Sequence, residues 1–144
     1  MTFFGLPLHP MTVHFPIALY LLGVLLTGGY LWRGQIEVER FAYWSFILSW
    51  LATIVASLIG LIDQNQLELT DPRRANVNNH ITSGVALIII NGLLVYMRFR
   101  WVDVLQRYRW RYLSLMIFGV VAVLITAWLG GELVYRLQVG ISAN

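Results

Sequence analysis

Apolar residues fill four stretches of this chain, at about 13–32, 41–62, 80–97 and 112–135, and polar residues collect in the connections between them. The runs are continuous, without the period-two alternation of a half-buried strand. At 1.5 Å per residue, about twenty helical residues cross a hydrocarbon core roughly 30 Å thick, and only helices or closed barrels satisfy their backbone inside it. The pattern predicts an all-α integral membrane four-helix bundle, a single domain over residues 1–144 with no stretch left over for a soluble module. No basic region precedes the first apolar run and no small-residue cleavage site follows it, so it is read as a true span.

Small residues recur every three or four positions inside the runs, where they let backbones approach closely in a solvent that gives hydrophobicity no leverage. The second span carries Ser45, Ser49, Thr53 and Ser57 on one side and Ala52, Ala56 and Gly60 on another; the fourth carries Gly119, Ala122, Thr126 and Gly130. Two stripes on one helix predict neighbours on both sides of it. Asn91, three turns beyond His80 on the same face, is expected to point into the bundle, for an interhelical hydrogen bond or against a cofactor edge.

Composition sharpens this picture. The chain is 58% hydrophobic and only 12% charged, half the charge of an ordinary soluble domain at about 25%, so it needs lipid around it. The absence of cysteine excludes disulfides, thiolate zinc sites, cysteine-ligated iron–sulfur clusters and covalently attached haem. The net charge of +3 comes from arginine, with no lysine present. Connections one and three hold Arg33, Arg40, Arg98, Arg100, Arg107, Arg109 and Arg111, against Arg73, Arg74 and Arg136 on the opposite face. Because positive loops stay in the cytoplasm, both termini are expected on the outer, periplasmic side of a bacterial inner membrane. That distribution also makes nucleic acid a poor partner. Trp32, Tyr43, Trp44, Trp101, Trp110, Tyr112 and Tyr135 suit the headgroup belt, and residues 101–110 read as a short amphipathic segment along the inner surface.

Under this topology His9, His14 and His80 all reach the outer face. Imidazole is costly near hydrocarbon, and two rings brought level on separate helices can hold a haem or metal ion between them. His14 opens the first span, and His80 enters on the third behind Asp71-Pro72, a helix-start signal with Asp71 as N-cap. His14 and His80 are therefore the candidate axial ligands of a haem b, with Arg73, Arg74 and Arg136 placed for its propionates and Asn91 for its edge. His9, Asp63 and Glu132 lie on the same face and are candidates to orient the ligating rings. The competing reading is structural: interfacial histidines satisfied by loops, Asp63 closing a span, and Glu132 paired with Arg136 at i, i+4. The pairs His14–Asp63 and His80–Glu132 begin and end the two hairpins at separations of 49 and 52, which suggests a pseudo-twofold axis along the membrane normal. No phosphate-binding loop, dinucleotide fingerprint, HExxH pair or serine elbow occurs, so an electron carrier or accessory subunit is expected rather than a catalyst.

The segments Leu8-His9-Pro10, Val13-His14-Phe15-Pro16-Ile17-Ala18 and Trp128-Leu129-Gly130-Gly131-Glu132-Leu133-Val134-Tyr135-Arg136 resemble the two ends of a bacterial membrane family catalogued as domain of unknown function 2231. The resemblance spans nearly the whole chain, including Asp63 and His80, while Leu137-Gln138 departs from the family's usual tail. It implies a four-helix membrane protein of a kind sometimes joined to c-type cytochrome domains. Three functions stay open at this level. One is a small electron-transfer protein or haem-bearing subunit, passing electrons between a quinone or membrane enzyme and an outer-face carrier. Another is a cofactor-free accessory subunit of a larger respiratory or photosynthetic complex, or a homodimer. The third is a non-haem metal site of His9, His14, His80 and Glu132, whose mixed donors suit zinc, copper or iron.

Overall fold

The computed structural model describes residues 2–3, 6–64, 67–68 and 70–139, with side chains over 9–62, 67–68 and 70–139. Two short strands, β1 (Thr2–Phe3) and β2 (Leu6–Pro7), pair antiparallel ahead of the helices. The rest is helical: α1 (Leu8–Thr12), α2 (His14–Arg33), α3 (Ile36–Gln64), α4 (Arg74–Arg100), α5 (Val104–Arg107) and α6 (Arg109–Gly131), continued by a π-helical turn over Glu132–Arg136. Four of these elements are long and apolar enough to cross a membrane.

Helix α2 packs on α3, α3 on α4 and α4 on α6, with α6 touching α2 more lightly to close the ring. Such an up-and-down order follows from short connections. Gly34 ends α2 in the left-handed region (φ 67°) and returns its N–H to the Tyr30 carbonyl at 2.7 Å, a stop only glycine adopts without strain. Glu37 and Glu39 in the first turn of α3, and Arg98 and Arg100 in the last turn of α4, match the helix dipoles.

Outward faces are apolar throughout: Leu25, Leu58, Ile89, Phe118 and Leu124 are all more than half exposed, a continuous surface that lipid must cover. Inside, Tyr20, Phe46, Leu87, Leu94, Tyr112, Met116 and Val123 form the core. Residues 101–110 depart from the expected surface segment, because α5 turns Val104 and Leu105 into that core and so plugs one end of the bundle. Trp32, Trp110 and Tyr135 stay exposed as belt residues do, whereas Tyr112 is buried at 1% exposure and serves packing.

Polar side chains tie the helices where apolar packing offers no preference over lipid. Asn91 on α4, fully buried, donates to Ser49 Oγ at 3.1 Å, and Ser49 donates to the Pro16 carbonyl at 2.8 Å, linking α4, α3 and α2. Trp50 Nε1 reaches the Ile88 carbonyl on α4 at 3.1 Å, and Tyr20 Oη the Met116 carbonyl on α6 at 3.0 Å. Each crossing needs a gap. Gly92 provides it beside Trp50, and Gly119 beside Tyr20, whose hydroxyl occupies the place a side chain would take.

Candidate functional site

At the end of the bundle where α4 begins and α6 finishes, His9 and His80 meet with ring centroids 5.8 Å apart and planes at 81°. His9 arrives on α1 and lies against α3, where its Nδ1 donates to the Ala56 carbonyl at 2.9 Å. A carbonyl only accepts, so this bond places the proton on Nδ1 and the lone pair of the neutral ring on Nε2. Gly60, one turn further along α3, makes the approach possible: a Cβ there would sit 2.8 Å from His9 Cε1. His80 repeats the arrangement against α6. A Cβ on Gly130 would lie 2.9 Å from His80 Cε1, and the Thr126 backbone one turn earlier faces the ring.

The repetition is regular. A shift of 70 or 71 positions carries His9 to His80, Ala56 to Thr126 and Gly60 to Gly130. The same shift carries Tyr20 to Asn91 and Ser49 to Gly119, so that Tyr20 reaching α6 beside Gly119 corresponds to Asn91 reaching Ser49 on α3. Both halves of the chain thus use matching positions for their helix contacts, although α3 and α4 pack far more closely than α2 and α6, and the two imidazoles meet edge to face where the halves join.

The pairing differs from the expected one of His14 with His80. His14 is exposed. The buried positions of α2 are Pro16, Tyr20, Gly23 and Thr27, and that stripe runs back through position 9, seven residues before Pro16. His14 lies two residues before Pro16 and therefore on nearly the opposite side of the helix. His80 sits seven residues before Leu87 on the buried stripe of α4, as expected.

The arginines, Asn91 and Glu132 are engaged elsewhere than at the histidine rings. Arg73 binds the Asp71 carboxylate through its guanidinium (2.6 Å) and its backbone N–H (2.8 Å) and reaches the Leu137 carbonyl at 3.3 Å. These bonds hold the Asp71 carboxyl at a pKa of about 2, below the usual carboxylate range, and raise that of Arg73. Asp71 is not the N-cap of α4, which begins two residues after Pro72. Arg74 donates to the Leu67 carbonyl at 2.9 Å, and Arg136 to Glu132 at 2.8 Å, the i, i+4 pair in place of a bond to a histidine ring. Asn91 serves the interhelical bond described above, and the Asp63 side chain lies outside the described residues. The orienting role expected of Asp63 or Glu132 falls, for His9, to the Ala56 carbonyl.

Three buried polar atoms have no hydrogen-bond partner among the described residues: His80 Nδ1, Thr126 Oγ1 and Asn91 Oδ1. Two of them belong to this end. Below them an apolar groove of about 220 Å³ runs between α4 and α6 to Ser83 and Thr126. No group of three His, Cys, Asp or Glu that could hold a metal ion occurs among the described residues.

A polytopic four-helix membrane protein with a histidine pair at one end of the bundle is the class this geometry defines. The chain belongs to the family described as "Predicted membrane protein (DUF2231)", whose model matches residues 5–143. No curated protein and no solved structure matches it.

Proposed function

We propose that the histidine end is a redox site in which His9 and His80 would hold a haem b. The chain is then a small electron-transfer protein, or the haem-bearing subunit of a larger complex, working between a quinone or membrane enzyme and a carrier at the outer face of a bacterial inner membrane. The observation that carries this reading is the meeting of His9 and His80, from separate helices, at one end of the bundle. With metal–nitrogen bonds of about 2 Å, two imidazoles on opposite sides of one metal have ring centres about 6 Å apart or slightly more, so from their edge contact at 5.8 Å the rings would turn and separate to hold it. Two nitrogen donors also suit a macrocycle that brings its own four, since a bare ion commonly takes three or four protein ligands. When bound, haem supplies one-electron chemistry; the chain fixes the His9 tautomer through Ala56 and holds both rings against glycine.

A non-haem ion held by His9 and His80 is the second reading, favoured by the edge contact of the rings, between which an ion fits with less movement than a porphyrin. Optical spectra of the purified protein test the first reading. Reduced-minus-oxidised haem bands are expected in the wild type and in His14→Ala, and are expected to vanish in His9→Ala and His80→Ala. A colourless wild-type protein that carries one metal ion per chain supports the second reading, and one that carries neither supports a cofactor-free subunit.

A further inference from the structure

The opposite end of the bundle holds a different site. Between the first turns of α3 and the last turn of α4 lies a cavity of about 210 Å³ lined by Glu39, Arg40, Tyr43, Trp44, Arg98 and Val102. Its floor is the buried ion pair of Arg98 with Glu39, each under 10% exposed. That pair occupies the cavity's single carboxylate, and the other lining residues that carry donors are Arg40, Tyr43 and Trp44, in a lining that is mostly apolar.

Arg40 stands apart from the other arginines at this end. Arg33, Arg98, Arg100, Arg107, Arg109 and Arg111 each stack on an aromatic ring at 4.8–5.9 Å. Arg40 shows no such ring contact among the described residues, and its pair with Glu37 is long, 3.4 Å, and two-thirds exposed on both sides. The residues lining the cavity carry a net charge of +1, Arg40 and Arg98 against Glu39, and a ligand there would compete with Glu37 for Arg40 at the rim. A ligand that complements this cavity carries one negative charge, accepts several hydrogen bonds and has an apolar body for the walls of Trp44, Tyr43 and Val102.

We propose that this cavity binds the phosphodiester headgroup of an anionic phospholipid, with Arg40, Tyr43 and Trp44 on the phosphate oxygens and the acyl chains leaving along the exposed apolar face of α3 at Phe41 and Leu48. The membrane supplies such a ligand at this depth, and basic pockets between membrane helices recognise it through these donor types. Neither the histidine pair nor any cofactor takes part.

Thermal unfolding of the detergent-purified protein, titrated with short-chain phosphatidylglycerol, short-chain phosphatidylcholine or inorganic phosphate, tests the assignment. Phosphatidylglycerol is expected to stabilise the wild type saturably and the other two to do so far less. Arg40→Gln, at an exposed position, should weaken the phosphatidylglycerol response about fivefold, and Trp44→Phe, which keeps the ring and loses the N–H, should weaken it as well. Equal responses to both lipids would mean a non-selective lipid belt and overturn the proposal. A response to inorganic phosphate equal to that of phosphatidylglycerol, or an unchanged response in both variants, overturns it too.

Discussion

The two ends of this bundle treat buried polarity in opposite ways. At the arginine end, Arg98 is matched to Glu39 and lies 5.7 and 5.9 Å from the ring centres of Tyr43 and Tyr112, so its charge is answered on every side. At the histidine end, His80 Nδ1 and Thr126 Oγ1 are buried without a hydrogen-bond partner among the described residues, although Thr27, Ser45, Thr53, Thr82 and Ser83 all return their hydroxyls to a carbonyl of their own helix. A buried polar atom left unmatched costs about 1–3 kcal/mol. A fold that pairs its buried charge at one end and leaves buried polar atoms unmatched at the other keeps bonding capacity inside the second.

The sharpest way to break this contrast is at Arg98. Arg98→Leu leaves Glu39 buried and uncompensated and should destabilise the protein by roughly 3–5 kcal/mol, whereas Glu39→Leu with Arg98→Leu should recover most of that loss. Denaturant unfolding in detergent measures both. Between the two ends, Gly119→Ala drives a methyl into the Tyr20 hydroxyl and should cost roughly 1–3 kcal/mol; adding Tyr20→Phe, which removes the clashing oxygen, should restore part of it. Smaller again is the effect expected of His80→Leu. It gives up the ring's approach to the Thr126 backbone but also removes a buried nitrogen without a partner among the described residues, so stability should change by no more than about 1 kcal/mol in either direction while any bound chromophore is lost. A loss as large as that of Arg98→Leu would erase the distinction between the ends.

The smallest effect belongs to Asp71. Its pKa in the folded protein, about 2, lies below the ordinary 3.8, so its bond to Arg73 contributes above the ordinary value and is lost as pH falls through about 2. Unfolding followed from pH 5 to pH 2 should therefore show a shallow decline that is absent in Asp71→Asn. A steep decline in both proteins would place the acid sensitivity elsewhere.

The four spans were legible because membrane helices announce themselves by uninterrupted apolarity, and the stripe of Ser45, Ser49 and Thr53 foretold the polar seam of α3. The histidine pairing was not, because a nearest-to-span rule selects His14, while side-chain direction depends on the phase of the helix. The signal was present in the spacing of His9, Pro16 and Gly23 at intervals of seven, which continues the buried face of α2 beyond its first turn. Gly60 and Gly130 were readable as packing residues; that each clears room for an imidazole depends on an inter-helix approach that no single-chain pattern records. The pairing of Glu132 with Arg136 was written in their i, i+4 spacing.

Because His9 rests on Gly60 and His80 on Gly130, each hairpin supplies its own cradle, and neither alone presents two imidazoles. A ligand that bridged those rings would bind only once the hairpins had docked, and would draw their docking equilibrium forward by mass action. The ligand would then act as a clasp that tells a fully assembled chain from one whose halves sit in the bilayer side by side.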